Sequence, residues 1–137
     1  TEKPTWKIPF DRFHCIIPMT SFYESAYEGP EAGHIIEFSQ SQDELLFAAG
    51  IFDVWSDTKE NKKLFSFSIL TTEPDQFIIE HGHDRTPIFL KYSDAKVWLS
   101  LKNQPEKMIE FLKDKNLKPE LKVKIDRPLK AGWEKRK

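Results

Sequence analysis

Residues 80–87 read EHGHDRTP, so that His81 and His83 flank Gly82, with Glu80 before them and Asp84 and Arg85 after. Three kinds of chemistry use such residues. Imidazoles two apart on a strand share a face and can ligate a metal. A zinc site then still wants a third ligand, and no thiol or second His pair lies nearby in the sequence. Alternatively, one imidazole of fixed orientation can exchange protons with a carboxylate. Asp84 and Arg85 beside His83, with Pro87 stiffening the exit, could hold that ring and leave Arg85 to meet a phosphate. The third reading is a polar surface turn closed by Pro87. For the acid–base reading the carboxylate candidate is Glu24 in SFYES (21–25), because a Glu between aromatic neighbours is costly unless it faces a polar site. Its alternative is an outward-facing strand residue. No metal and no cofactor is expected.

Residues of this kind need a scaffold, and the composition supplies one. The chain has 137 residues, 39% of them apolar and 13% aromatic, including 11 Phe. That is one domain's worth of material with enough apolar surface for a packed core, which excludes a disordered chain. No apolar run reaches the roughly 18–20 residues of a membrane span. TEKPTWKIPF, at the start, has no signal-peptide core, and the single Cys15 excludes a disulfide framework and fits a reducing, cytoplasmic setting. The net charge of −1 is uneven: residues 113–137 hold ten Lys/Arg against four Asp/Glu. A basic tail can attract a polyanion or can simply be solvated.

The elements follow from periodicity. Arg12–Pro18 reads as a buried strand, Ser21–Ser25 and His34–Phe38 as two more, with a Gly/Pro loop at 26–33 and a turn in SQSQDE. Leu45–Trp55 is the longest apolar run, and Gly50 within it predicts a bulge or a close backbone approach. Leu64–Thr72 places Phe65, Phe67 and Ile69 two apart, which predicts a strand with that face buried. A short helix over Pro74–Ile79 is expected with Thr72 and Asp75 as capping residues, a second over Asp94–Leu101 capped by Ser93, and a third over Glu106–Asn116 opened by Pro105. The predicted helical stripes are Val97, Trp98 and Leu101, then Met108, Ile109 and Leu112. Leu121, Val123 and Ile125 alternate as a last strand. About six strands and three short helices make an α+β fold with a mostly antiparallel, curled sheet or barrel.

The succession of motifs carries more than any one of them. CIIPMTSFYES (15–25), FAAGIFDVW (47–55), FSILTTEP (67–74) and HDRTP (83–87) resemble, in order and spacing, the stretches Cys-Leu-(Ile/Val)-Pro-Ala-Asp-Gly-Phe-Tyr-Glu-Trp, Phe-Ala-Gly-Leu-Trp-Glu, Phe-Thr-Ile-Ile-Thr-Thr-Glu-Ala and His-Asp-Arg-Met-Pro of the SOS response-associated peptidase (SRAP) family. The likeness covers residues 1 to about 101 and loosens over the remainder. It implies a protein that processes abasic sites in single-stranded DNA. In that family an N-terminal Cys condenses through its α-amine and thiol with the ring-opened aldehyde, giving a thiazolidine. A glutamate and a histidine assist, which the matching motifs place at Glu24 and His83. Thr71 and Arg85 would contact the DNA backbone.

The departures from the family pattern matter as much. There is no N-terminal Cys and no Asn-Ala-Arg segment, so the chain reads as the C-terminal part of one such domain over 1–137, with a weakly matching basic tail at 103–137. An N-terminal segment of the same domain is expected as the missing partner, with a monomer as the expected state and nucleoid association if the source is bacterial. Cys15 aligns with a structural cysteine and reads as a buried small hydrophobe, not the nucleophile. Ser25 and Thr86 replace a Trp and a Met of the family stretches. His81 has no counterpart in them and reads as a bystander. Self-removal of residues preceding the family Cys, implied by the word peptidase, and a non-catalytic single-strand binder are the alternative functions.

Overall fold

The computed structural model describes residues 4–42 and 44–136; the loop expected at Thr1–Lys3 and the Asp43 part of the SQSQDE turn lie outside the described residues. In chain order the elements are α1 (Pro4–Arg12), β1 (His14–Met19), β2 (Ser21–Ala26), β3 (His34–Gln40), β4 (Leu46–Asp57), β5 (Lys62–Ile69) and β6 (Thr71–Thr72). They continue as α2 (Gln76–Glu80), β7 (Thr86–Pro87), α3 (Tyr92–Ser100), α4 (Pro105–Lys115), β8 (Leu121–Pro128) and a 3-10 turn, Trp133–Arg136. The strands join in the orders β1-β4-β5, β2-β3-β8 and β6-β7. The expected α+β class holds. The sheets are open, not a closed barrel, and the pairs β2/β3, β3/β8, β4/β5 and β6/β7 are all antiparallel. No helix among the described residues is long and apolar enough to cross a membrane.

The chain groups into two compact units, each assembled from three stretches. The first comprises Thr1–Ile17, Phe47–Leu70 and Ile88–Leu117. Its core gathers Phe10, Ala49, Ile51, Ile88, Leu90, Ala95, Trp98, Met108 and Leu112. Trp98 is its hub. The indole Nε1 donates to the Gly50 carbonyl at 3.2 Å, and the buried His14 ring stacks on it at 3.7 Å. The close approach expected at Gly50 is present: a Cβ there would run into Ile17 and the Cys15 thiol. Cys15 is half-buried, and burial pushes its thiol pKa up, which keeps it protonated and a poor nucleophile.

Several local expectations change here. α1 has no counterpart in the sequence reading, whose first element is the strand from Arg12; it holds Pro9 in its interior, an unfavourable helix position, next to the buried Phe10. α3 starts at Tyr92 after Lys91, not at a Ser93 cap. Its buried residues are Ala95 and Trp98, while Val97 faces out; in α4 Met108 and Leu112 are buried and Ile109 is exposed. The largest correction concerns β5. Phe65 and Phe67 are 70% and 66% exposed, although their spacing predicts burial. β5 is the edge strand, and its apolar face continues onto the Val54 side of β4, where the register pairs Val54 with Phe65 and Phe52 with Phe67. Period two identifies which residues share a face, but not whether anything covers it.

The second unit comprises Pro18–Leu46, Thr71–Pro87 and Lys118–Lys137. Its core is Ala26, Ile36, Phe38 and Ile78, with Phe22, Leu121 and Val123 packed against it. Leu121 and Val123 behave as predicted, but Ile125 is exposed beside a register shift at Ile35/Ile36. α2 is capped by Asp75, whose carboxylate accepts from the Ile78 N–H at 3.1 Å; Thr72 lies in β6 instead.

Candidate acid–base site

All four residues singled out in the sequence, Glu24, Thr71, His83 and Arg85, lie in the second unit. Glu24 sits on β2 in register with Ile36, between Phe22 and Ala26 on the alternating face that packs on the core. His83 follows α2 at the end of the turn through Gly82 and comes within 3.8 Å of Glu24, from its Nδ1 to the carboxylate Oε2. That distance is too long for a hydrogen bond but within ion-pair range, and acid–base contacts often tighten only when substrate binds. The His83 side chain is only 11% exposed, whereas Glu24 keeps 42%. Glu24 is thus the solvent-facing member and His83 the group behind it.

The electrostatics pull both groups toward their neutral forms. Burial raises the Glu24 carboxyl above its ordinary value, and Asp84 adds to the rise. Burial lowers the His83 imidazole; Asp84 works against that fall and His81 with it. Shifts in these opposite directions bring the two groups closer in proton affinity than a free carboxyl and a free imidazole, as an acid–base pair requires. The other ring nitrogen of His83, Nε2, is buried without a hydrogen-bond partner. Leaving such a group unpaired costs about 1–3 kcal/mol.

Arg85 and Thr71 are brought together as well. The two-residue β6–β7 ladder sets Thr71 opposite Pro87, and Arg85 reaches across to it. Its Nε donates to Thr71 Oγ1 at 3.1 Å, and its Nη2 to the Thr71 carbonyl at 2.6 Å and Oγ1 at 3.0 Å. The guanidinium is thereby held in one orientation on an exposed surface.

The sequence reading missed one pair. His81 Nδ1 donates to Glu31 Oε2 at 2.8 Å, and both side chains are largely buried. His81 is no bystander. Glu31 lies in the 26–33 loop, 50 positions away, and nothing in its sequence context marks it. His83 also lines an open cleft of about 680 Å³ with Tyr27, Glu28, Glu73, Asp84 and Arg136. Glu24 is not part of that lining, so the cleft and the acid–base pair share His83 alone. Among the described residues no cluster of His, Cys, Asp or Glu has the makings of a metal site.

Residues 1–125 match the family profile of the SOS response associated peptidase (SRAP), and the chain belongs to that family. Among curated proteins it is similar to the abasic site processing proteins YoqW and YoaM of Bacillus subtilis (strain 168), with 32% and 33% identity over 112 residues, or 82% of this chain. The chain spans 49% and 48% of those two relatives, about half their length. Solved structures from Bacteroides thetaiotaomicron and Bordetella bronchiseptica share the fold, each with a TM-score of 0.72 over 92% of this chain. Their identities are 23% and 19%, and the chain covers 54% and 61% of theirs. The family match runs to residue 125, beyond the limit near 101 read from the motifs, and leaves only the end of β8 and the 3-10 turn outside it.

Proposed function

We propose that these residues form the acid–base half of an abasic-site processing protein that binds single-stranded DNA and joins it covalently as a thiazolidine. The observation that carries this reading is the 3.8 Å approach of Glu24 and His83, 59 positions apart, with opposite tendencies to hold a proton. The curated relatives named for abasic site processing support it. The nucleophile is the amine and thiol of a terminal cysteine outside these 137 residues. The amine adds to the aldehyde carbon of the opened sugar, and the resulting carbinolamine loses water. The thiol sulfur then closes the ring on the imine carbon. One amine, one thiol and one aldehyde give one thiazolidine and one water, with no oxidant required.

The water-loss step needs a proton delivered to the carbinolamine oxygen, and Glu24, whose carboxyl burial raises above its ordinary value while leaving it partly exposed, is suited to give it. Ring closure on the iminium releases the thiol proton, which the Glu24 carboxylate left by the first step accepts, restoring the carboxyl. His83, with Nδ1 3.8 Å from Glu24 Oε2, stands beside that carboxylate and orients it. Arg85, oriented by Thr71, would meet a backbone phosphate as a bidentate donor. The same pair of groups would serve amide hydrolysis, the activity the family name implies.

The test is to incubate the complete polypeptide that carries these residues with an abasic single-stranded oligonucleotide and resolve the products on a denaturing gel. A covalent adduct that forms only when the lesion is present is expected. Strand binding without any adduct would make the protein a non-catalytic binding module and end the proposal.

A further inference from the structure

We propose that the Glu31–His81 ion pair is a positioning device that fastens the 26–33 loop to the turn carrying His83 and so holds the His83 ring against Glu24. This rests on the acid–base reading of Glu24 and His83. Three observations carry it. First, His81 Nδ1 and Glu31 Oε2 meet at 2.8 Å with side chains only 17% and 16% exposed, a shielded setting in which such a contact is stronger than at the surface. Second, loop and turn cross with their backbones in contact. A Cβ on Gly29 would sit 2.7 Å from the Glu80 carbonyl, and one on Gly82 would strike the Glu28 carbonyl. Both glycines have positive φ, so the crossing depends on them, and the ion pair locks it from one side. Third, the two imidazoles share one wall. His81 and His83 each stand edge-on to the Phe38 ring at 6.1 Å, and His81 also packs against Phe77 at 4.7 Å. Only Gly82 separates them, so a shift of one ring displaces the other.

The electrical coupling points the same way. The groups around His83 are Glu24 from β2, Glu28 from the loop, Glu73 after β6, Asp84 and His81 on its own turn, and Arg136 from the 3-10 turn. Of these, His81 opposes protonation of His83, behind burial and against Asp84. The His81 charge acts on His83 through space, whereas a positioning role is read from the His83 ring shifts in Glu31→Ala, which leaves His81 in place.

The experiment follows the imidazole nitrogen signals of His83 by NMR through a pH titration of the 137-residue chain. Wild type is compared with Glu31→Gln, Glu31→Ala and His81→Gln. The midpoint of His83 is expected to move upward in His81→Gln. The Nδ1 and Nε2 shifts should change in Glu31→Ala and return to the wild-type pattern in Glu31→Gln, which keeps an acceptor oxygen. Should Glu31→Ala fail to fold, His81→Gln reads the same coupling. Unchanged His83 shifts and midpoint in folded variants would overturn the proposal. In the complete polypeptide, Glu31→Ala should slow adduct formation by about tenfold or more through misplacement of the acid–base pair. If the NMR changes occur but wild type forms no adduct, the positioning stands and the reaction fails. Adduct formation at equal rates with unaltered His83 signals sinks the positioning alone.

Discussion

A glutamate and a histidine that titrate in opposite directions give the molecule a readable pH signature. Glu24 has a raised folded-state pKa, so its contribution to stability is full below the unfolded carboxylate value and is lost as pH rises through the folded one. His83 has a lowered one, so its contribution is present above the unfolded imidazole value and disappears as pH falls through the folded one. Glu24→Gln should therefore flatten the loss of stability on the alkaline side of the carboxylate range, and His83→Gln the loss on the acid side of the imidazole range. Thermal unfolding midpoints across pH 4–8, on the order of the ordinary range for these groups, would check both signs. Arg85 makes a different prediction. Arg85→Ala should weaken binding to single-stranded DNA and lower the slope of log K against log salt by about 0.7, the value for one single-strand phosphate contact. Arg85→Lys should not rescue it fully, because a lysine cannot reproduce the paired bonds to Thr71.

The strands and helices show which parts of this were legible before any coordinates. The face that Glu24 shares with the core residues Phe22 and Ala26 is legible in Phe22-Tyr-Glu-Ser-Ala26, since alternation puts residues 22, 24 and 26 on one side. The HDRTP turn marked His83 and Arg85. Glu31 was not legible, because its partner lies 50 positions away in a loop whose Gly and Pro residues announce only a turn. β5 misled in the opposite direction, because its period is correct and its cover is not local information. Two substitutions separate these cases. Phe38→Ala, at a ring with no solvent exposure that stacks on Phe22 at 5.0 Å, should cost about 3–5 kcal/mol in chemical unfolding. Phe65→Ser, at a ring 70% exposed, should cost about 0.5 kcal/mol or less and improve solubility by breaking an apolar edge. The α2 cap is a third case: Asp75→Ala removes the bond to the Ile78 N–H and should cost about 1 kcal/mol.

Over the whole chain, the SRAP assignment rests on motif order spread across residues 15–87 and on a family match reaching residue 125. Of the ten Lys/Arg in residues 113–137, Lys113 and Lys115 lie on α4, Lys122, Lys124 and Arg127 on β8, and Lys135 and Arg136 on the 3-10 turn. The account nonetheless depends on one small constellation. Its most direct test is the rate of covalent adduct formation with an abasic single strand, measured for the complete polypeptide as wild type, Glu24→Gln and His83→Gln with strand affinity measured alongside. Loss of a general acid or base predicts a fall of about 10²–10⁴-fold for Glu24→Gln and a smaller fall for His83→Gln, with binding retained. Equal rates in all three proteins would contradict the account.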